Sequence, residues 1–280
     1  MFSIYTSAYN LNKMGFAWKE TLENWVQFLY KTGEISIAVN TSDDNTYESL
    51  VTFANELTDK HALGIDWKIF KIDIPYSDPF FDGKLKTAAL RQCTNRYCIL
   101  LDMDEVIPLW SQPAWDGVIG ALEQDYSGVE ALFVPTIDLF HDVNNMKSMG
   151  QKWYVHLNLQ YLERGPVGFA RRTDGTIDIT KSDTCEIINS STFELAKTAT
   201  LVDPRLPNEM KLRMIREGQL PVVIHLGWLN KEQRLRQSAF WTPVWNARNG
   251  SEVEQSKTIE DLNSIEYVPH GLPPWNQKYE

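Results

Sequence analysis

The chain has 280 residues, 43% of them hydrophobic and 23% charged, as in an ordinary globular protein. Its formal net charge of −10 argues against a nucleic-acid ligand, because such proteins usually present a basic face. No apolar run approaches the ~18 residues that would span a membrane, and no basic stretch followed by an apolar one opens the sequence. We therefore expect a soluble, cytoplasmic protein without a signal peptide.

Strands and helices alternate through the first hundred residues. Apolar runs predict the strands and helical spacing of apolar residues predicts the helices. The predicted elements are strand 2–6, helix 14–30, strand 34–40, helix 47–60, strand 66–72, helix 83–93 and strand 97–101. This alternation predicts an α/β protein with a mostly parallel central sheet and helices on both faces.

The pattern loosens after residue 110. The predicted elements are helix 113–125, strands 131–136, 157–162 and 167–171, helix 209–217, strand 222–225, helix 231–245 and a polar tail 246–280. We expect one domain over residues 1–280. It would have a Rossmann-like nucleotide-binding half (1–110), a mixed-sheet acceptor half (111–227) and a C-terminal helix and tail (228–280).

The three cysteines, Cys93, Cys98 and Cys185, fit no Cys-X-X-Cys metal or redox pattern. An odd count of this kind favours reduced thiols in a reducing compartment. We expect Cys93 and Cys98 to be small buried hydrophobic residues.

Three carboxylates follow the fourth predicted strand in the stretch YCILLDMDEVIP, as Asp102, Asp104 and Glu105. In parallel sheets, ligands bind beyond the carboxyl ends of the strands. Two aspartates that flank one residue can share a divalent cation, and their oxygens suit Mg²⁺ or Mn²⁺. Such a cation typically binds a diphosphate as well. The acidic turn after the second strand, at 42–46, is expected to face the same crevice.

Two other classes of protein stay open at this point. The pentapeptide DMDEV resembles the haloacid-dehalogenase-like phosphatases, which implies Asp102 as nucleophile and Asp104 as acid/base. That motif usually opens its fold, whereas three predicted strands precede it here, and no acidic pair follows an apolar strand after residue 106. The ten tryptophans also indicate a non-catalytic carbohydrate-binding protein, although aromatic residues commonly fill cores.

The chain resembles the inverting, family-2-like glycosyltransferases of the GT-A fold, most clearly over residues 2–110. Small and polar residues end the first strand, as in that family, and an acidic turn follows the second, although Asn40 replaces the usual first aspartate. Lys86 stands where the family has a basic residue, and Asp102-Met103-Asp104-Glu105 matches its D-x-D-E. The resemblance implies donor-binding roles for Thr6, Ala8, Asn10, Asn40, Asp44, Lys86, Asp102 and Met103.

The same resemblance implies a nucleotide-diphosphate sugar, by default a UDP-sugar, and a Mn²⁺ or Mg²⁺ ion. The metal ligands would be Asp102, Asp104 and His225, which ends the apolar strand PVVIH. Neutral imidazole suits Mn²⁺, although a lone histidine on an apolar strand is as often a core residue. The segment after His225 resembles the late lid of such enzymes, where Arg234 and Arg236 would meet the diphosphate.

An inverting transferase needs a carboxylate to deprotonate the acceptor hydroxyl. By resemblance we expect Asp183 or Glu186, in KSDTCEII, because the preceding VGFARRTDG is similar to the segment before the family's His-Glu. The histidine of that pair is absent here. The reserve candidates are Asp138, Asp142 and, more weakly, His141. The expected acceptor is a glycan or another hydroxyl compound, and a modified nucleic-acid base stays among the acceptors despite the acidic charge.

Overall fold

A mixed sheet with helices on both faces organises the computed structural model of this protein. The structure describes residues 2–30, 32–61, 64–78, 81–125, 131–158, 167–169, 171–173, 176–178, 187–189, 198–249 and 256–275. The fold class expected from the sequence, an α/β protein with a central sheet between helices, is confirmed.

The first half alternates strands and helices. Its elements are β1 (Phe2–Ala8), α1 (Leu11–Met14), α2 (Trp18–Phe28), β2 (Thr32–Asn40), α3 (Thr46–His61), β3 (Gly64–Ile72), α4 (Phe81–Gln92) and β4 (Tyr97–Leu100). The predicted helix 14–30 corresponds to α2, which begins four residues later, at Trp18. Met14 belongs to the short helix α1, which ends at Gly15 with a φ of +71° in the left-handed region.

The second half is richer in strands. Its elements are β5 (Glu105–Val106), a 3-10 turn (Leu109–Ser111), α5 (Gln112–Asp125), β6 (Ala131–Phe140), β7 (Asp142–Leu157), β8 (Val167–Phe169), β9 (Arg171–Thr173), β10 (Thr176–Asp178), β11 (Ile187–Asn189), β12 (Thr198–Thr200), α6 (Asn208–Arg216), β13 (Val223–His225), α7 (Lys231–Asn249), α8 (Ile259–Asn263) and β14 (Val268–Pro269).

The sheet order explains how the two halves join. The strands lie in the order β3-β2-β1-β4-β7-β6-β13-β5, with β12 beside β6 and β14 beside β7. Strands β3, β2, β1 and β4 are parallel. Strand β7 is antiparallel to both β4 and β6, whereas β13 is parallel to β6. The first half is therefore parallel and the second mixed, so that the ends of β1, β4 and β13 carry the residues discussed below.

Both faces of the parallel half are covered. Successive residues of a strand point to opposite faces, and Ile4 and Tyr5 accordingly belong to two separate hydrophobic clusters. The Ile4 cluster includes Trp25 of α2, and the Tyr5 cluster includes Leu85 of α4 and Val244 of α7. A strand covered on both faces needs an almost continuous apolar run, which is why these strands are readable from the sequence.

Two parts of the second half differ from the prediction. The 16-residue strand β7 lies where no strand was predicted, and the predicted strand 157–162 meets it only at residue 157, with 159–162 outside the described residues. The segment 246–280 is more than a polar tail, because it contains α8, whose Thr258–Asp261 capping box fixes its start, and β14, which pairs with β7. The division of one domain into three parts stays a prediction.

The two cysteines in the described ranges are buried and free of disulfide bonds, which confirms the expectation for Cys93 and Cys98, while Cys185 lies outside those ranges. A membrane-spanning helix, long and apolar enough to cross a bilayer, is not found among the described helices.

Candidate functional site

A cavity of about 320 Å³ opens beyond the carboxyl ends of β1, β4 and β13. Parallel strands deliver their carboxyl ends to one edge of a sheet, where α/β proteins bind ligands. Its walls are formed by Ser7, Tyr9, Leu11, Phe16, Asp82, Lys86, Asp102, Met103, Asp104, His225, Arg234, Gln237 and Trp241. The D-x-D residues and the late-strand histidine, which are more than 120 positions apart in the sequence, therefore share one cavity, as the sequence predicted.

Asp104 and His225 form a close pair in this cavity. Asp104 is buried, and its Oδ2 lies 3.4 Å from Nε2 of His225. The backbone N–H of Leu226 donates to the carbonyl of Asp104 at 2.7 Å, which fixes the loop after β4 against the loop after β13. The amide of Gln237, on α7, lies 3.4 Å from the same Oδ2. A carboxylate oxygen and an imidazole nitrogen thus converge on one small region.

Gly227 keeps that region open. A Cβ at this position would lie 2.6 Å from Nε2 of His225 and 2.7 Å from Oδ2 of Asp104. Real Cβ atoms essentially never show contacts this short, so a side chain here would displace the His225 ring or the Asp104 carboxylate. The lack of a side chain at Gly227 therefore leaves room beside the pair.

Asp138 orients the ring of His225. The pairing of β13 with β6 sets His225 opposite Asp138, and His225 Nδ1 lies 2.9 Å from Asp138 Oδ1. The hydroxyl of Ser148 donates to the other oxygen of Asp138. Burial opposes the ionisation of Asp138, but His225 and Ser148 outweigh it and lower the pKa of Asp138 to about 2. A proton on Nδ1 shared with a carboxylate leaves Nε2 as the nitrogen that faces Asp104.

The charge state of His225 follows from its two neighbours. Burial disfavours the imidazolium, yet Asp104 and Asp138 together raise the pKa of His225 well above its usual value. Ligands must lose their protons to bind a metal. A metal cation bound between Asp104 and His225 would therefore replace the proton on Nε2 of His225.

Asp102 is held by two ammonium groups. Its Oδ1 lies 2.5 Å from Nζ of Lys86, and its Oδ2 lies 3.0 Å from Nζ of Lys152. Burial favours the neutral carboxyl, but Lys152 and Lys86 more than offset it and hold the pKa of Asp102 well below its usual value. Asp102 is thus a carboxylate whose two oxygens are both in ion pairs, and its role as a metal ligand stays a prediction.

Lys86 is a buried cation in the cavity wall. Only 4% of the residue is exposed, and besides Asp102 it contacts Asp82, whose Oδ2 lies 3.1 Å away. Ser7 donates to the other oxygen of Asp82 at 2.5 Å. Burial alone would lower the pKa of Lys86, but the two carboxylates raise it above its usual value, so a permanent positive charge stands where the family resemblance expects one.

Glu105 faces the interior of the protein. Its Oε1 lies 3.1 Å from Nζ of Lys152 and accepts a hydrogen bond of 2.8 Å from Tyr154. The backbone N–H of Asp102 donates to its Oε2 at 2.8 Å. Burial raises the pKa of Glu105 above its usual value. Glu105 therefore shapes the turn after β4 and does not line the cavity.

Sequence reasoning did not find Lys152, Tyr154 or the role of Asp138 beside His225. Lys152 and Tyr154 lie on β7, which was not predicted, so nothing in the sequence placed them beside the D-x-D turn. Asp138 lies within the largely apolar strand β6, two residues before its end, and was predicted only as a reserve base. The signal that relates it to His225 is the parallel pairing of two strands 87 residues apart.

Two residues expected at the nucleotide have structural partners instead. The amide of Asn40 donates to the carbonyl of Ile74 and accepts from its N–H, both at 2.9 Å. Asp44 accepts from the N–H groups of Lys13 and Thr46 at 2.9 and 3.2 Å. Neither residue is in the described cavity wall, so the turn after β2 and the turn after β4 do not share it. Their donor-binding roles stay predictions.

The residues expected at the end of β1 lie close behind the cavity. Thr6 and Ala8 are buried in the strand, and Asn10 is buried with a φ of +48° and an Oδ1 that has no hydrogen-bond partner. Their neighbours Ser7 and Tyr9 are the residues that line the cavity. The strand alternation therefore puts Ser7, and not Thr6 or Ala8, in the described cavity wall, and the donor-binding roles of Thr6, Ala8 and Asn10 stay predictions.

The expected catalytic bases, Asp183 and Glu186, lie outside the described residues. Of the reserve candidates, Asp138 is paired with His225, as described above. Asp142 accepts from the N–H of Asn144 at 2.7 Å in an exposed turn.

The described ranges contain no group of three or more histidine, cysteine, aspartate or glutamate side chains arranged to hold a metal. The candidate metal ligands that the structure brings together are therefore a pair, Asp104 and His225. Mg²⁺ and related hard cations commonly bind proteins through one or two side chains and take their other ligands from water and substrate phosphates.

No protein-family model and no curated protein sequence matches the chain. Among solved structures, S. aureus TarS 1–349 in complex with UDP-GlcNAc is 12% identical, with 88% of this chain and 72% of that chain covered and a TM-score of 0.34. The inositol-1-phosphate CTP transferase from T. maritima is 8% identical, with 89% and 97% covered and a TM-score of 0.39.

The match to a longer structure of S. aureus TarS covers 50% of this chain and 21% of that chain, at 16% identity and a TM-score of 0.30. This chain thus spans about a fifth of that relative. At these values the likenesses establish no family, and the function is inferred from the site.

Proposed function

We propose that this protein is a glycosyltransferase that depends on Mn²⁺ or Mg²⁺. It would transfer a sugar from a nucleotide-diphosphate donor, with UDP as the nucleotide, to a hydroxyl acceptor with inversion at the sugar carbon. The observation that carries the proposal is the Asp104–His225 pair, which converges beside the space kept by Gly227 at the strand-end cavity.

The donor groups fit a hard divalent cation. One carboxylate oxygen and one imidazole nitrogen suit Mn²⁺ and, less well, Mg²⁺. Asp138 supplies the outer hydrogen bond that metal-binding histidines almost always make. When bound, such a cation neutralises the diphosphate and stabilises it as leaving group.

The cations of the cavity fit the diphosphate as well. Lys86 is fixed in the wall by Asp82 and Asp102, and Arg234 lines the same cavity from α7. Among the described residues, the Nε of Arg234 is buried without a hydrogen-bond partner, and burying such a group unpaired is costly. The positive charge of Arg234 at the cavity wall would attract an anion there.

Three aromatic side chains, Tyr9, Phe16 and Trp241, complete the cavity wall. Their flat faces suit the stacking of a base or a sugar ring. The base that deprotonates the acceptor is proposed to be Asp183 or Glu186, as the family resemblance implies. We keep Asp102 as a donor-binding residue that acts through its fixed position between Lys86 and Lys152.

Release of UDP from a panel of UDP-sugars, with Mn²⁺ or with EDTA, tests this function. We expect slow release with Mn²⁺, none with EDTA, and a loss of about 100-fold in Asp104→Ala, typical of a removed group that stabilises charge at the reacting centre. Asp43→Ala is the matched control, because this exposed aspartate pairs with Lys13 away from the cavity. Absence of release with every donor would contradict the proposal.

The same preparation distinguishes the two other classes. A phosphatase that uses Asp102 would release phosphate from aryl phosphates, would lose this activity in Asp102→Asn, and would not bind nucleotide sugars. A carbohydrate-binding protein would bind glycans equally with Mn²⁺ and with EDTA and would leave every donor intact.

A further inference from the structure

Trp228 is held between two cations. The Nζ of Lys147 lies 3.6 Å from the centroid of its indole ring, and the guanidinium carbon of Arg234 lies 3.7 Å from the same centroid. Two cationic groups this close to one centroid occupy opposite faces of the ring, because on one face they would overlap. A third cation, Lys257, lies 5.8 Å from the centroid.

These three cations form no close ion pair with the carboxylates that the structure describes. None of Lys147, Arg234 and Lys257 forms an ion pair within 4.0 Å with another residue of the described ranges. Like charges at close range repel each other, and partial burial increases the cost. Asp138 opposes the resulting fall in the pKa of Lys147, and Asp104 and Asp138 oppose the fall in the pKa of Arg234 that burial causes.

The surroundings of Lys147 disfavour its charged form. Burial lowers its pKa most, Asp138 opposes this effect, and repulsion from Arg234 and Lys257 adds to it. The charged form of Lys147 is therefore less stable than that of a free lysine. A bound anion would restore it, because charge-assisted hydrogen bonds to anions are among the strongest contacts a lysine makes.

The cations around Trp228 come from different elements of the fold. Arg234 lines the cavity that contains Asp104 and His225. Lys147 comes from β7, in the half that was expected to bind the acceptor, and Lys257 precedes α8. Neither lysine is in the described cavity wall, and the ring separates Lys147 from Arg234, the cation that lines the cavity.

We propose that Lys147 and Lys257, which both lie near the Trp228 ring and outside the described cavity wall, form a second anion site that binds a phosphate group carried by the acceptor. This inference rests on the proposed function, since it divides donor from acceptor at Trp228. Two ammonium groups match the multiple oxygens and charge of a phosphate better than they match a single carboxylate. The acceptor is accordingly a phosphate-bearing glycan or a similar phosphorylated hydroxyl compound.

Fluorescein-labelled dextrans of equal length test the site, as phosphorylated, carboxymethylated and unmodified forms at physiological salt. We expect the full chain, saturated with UDP and Mg²⁺, to bind the phosphorylated form best. The double variant Lys147→Ala/Lys257→Ala should weaken that binding about tenfold or more, as expected for lost charge-assisted contacts. Its affinity for UDP should change less than about twofold, because Arg234 is untouched.

Three variants serve as controls. Arg234→Ala should weaken UDP binding more than dextran binding. Lys147→Arg/Lys257→Arg keeps both charges and should restore the binding of phosphorylated dextran. Lys19→Ala should change neither ligand, because Lys19 lies over Trp18 in a separate cation–ring contact.

Three results would overturn the second site. The double alanine variant would bind phosphorylated dextran like the wild type, or would lose UDP as strongly as Arg234→Ala, or carboxymethylated dextran would bind as well as the phosphorylated form. Failure of the wild type to bind UDP would contradict the proposed function instead, and the dextran series without UDP would then decide the anion site by itself.

Discussion

The Nδ1 of His225 and the Oδ1 of Asp138 lie 2.9 Å apart, and this contact decides which ring nitrogen of His225 faces Asp104. The contact joins two strands through the sheet, so the orientation of the ring is fixed by the fold. An imidazole ring free to rotate would present either nitrogen to the cavity. The pair Asp138–His225 is therefore the support on which the proposed cation site depends.

Asp138→Asn tests that support. Loss of the carboxylate charge should weaken Mn²⁺ binding by about 10- to 100-fold, the usual effect of removing the outer partner of a metal-binding histidine. The fraction of free Mn²⁺ can be measured by electron paramagnetic resonance. Asp142→Asn, in the exposed turn after β6, is the control and should leave Mn²⁺ affinity unchanged. Equal affinity in wild type and Asp138→Asn would contradict this role.

Gly227→Ala tests the space beside the pair. The added Cβ would meet both Asp104 and His225 at less than 3 Å, so we expect Mn²⁺ binding and metal-dependent UDP release to fall together. The matched control is Gly117→Ala on α5, where a Cβ would meet nothing within 4 Å. That variant should be as active as the wild type and more stable by about 0.5–1 kcal/mol. Unchanged Mn²⁺ affinity in Gly227→Ala would show that the space is not used.

Lys152→Met tests the partner of Asp102 and Glu105. The change leaves two buried carboxylates with one cation fewer, and removing one partner of a buried ion pair typically costs about 3 kcal/mol. Urea unfolding measures this loss. The control, Lys71→Met, breaks the exposed pair between Lys71 and Glu48 and should cost less than about 1 kcal/mol. Similar losses in the two variants would contradict the assignment of Lys152 as a structural counter-charge.

The lowered pKa of Glu34 predicts that the free energy of unfolding falls at acidic pH. Burial opposes its ionisation, but Lys68, Ser3 and Thr94 more than offset this and lower its pKa to about 2. A carboxyl whose pKa is depressed in the folded state stabilises the fold above its unfolded pKa of about 4.3. That contribution is lost as the pH falls from there towards 2.

Unfolding free energies between pH 2 and pH 6 check the Glu34 prediction. We expect Glu34→Gln to lower stability by about 1.5–3 kcal/mol at pH 6 and to have a shallower fall of stability below pH 4 than the wild type. Glu48→Gln is the control, because Glu48 is exposed and pairs only at the surface. Parallel pH profiles for wild type and Glu34→Gln would contradict the prediction.

The parallel half of the fold could be predicted because burial on both faces makes its strands continuous apolar runs. Strand β7 could not be predicted from the sequence. Its sequence, DVNNMKSMGQKWYVHL, alternates poorly, and its pairing with β6 shifts register at three places. A pattern with a strict period of two does not survive such shifts.

The candidate site likewise contains residues whose positions could be predicted from the sequence and residues whose positions could not. The closeness of Asp104 and His225 could be predicted, because Asp104 comes soon after the apolar strand β4, His225 ends the apolar strand β13, and strand ends meet at one edge. The contacts of Lys152 and Tyr154 with Asp102 and Glu105 could not be predicted, since both Lys152 and Tyr154 lie on β7. Asn40 and Asp44 looked like ligand-binding residues, but each side chain also binds a backbone group more than 30 positions away, at Ile74 and Lys13 respectively. These long-range contacts depend on the tertiary fold and leave no trace in local sequence, whereas the bond from the N–H of Thr46 to Asp44 is local.

A crystal structure with UDP and Mn²⁺, read through the anomalous scattering of manganese, tests the central claim most directly. We predict one anomalous peak within coordinating distance of both Oδ2 of Asp104 and Nε2 of His225, in contact with the diphosphate and absent in Asp104→Ala. A manganese peak elsewhere, or UDP bound in the cavity with no manganese beside these two atoms, would contradict the account.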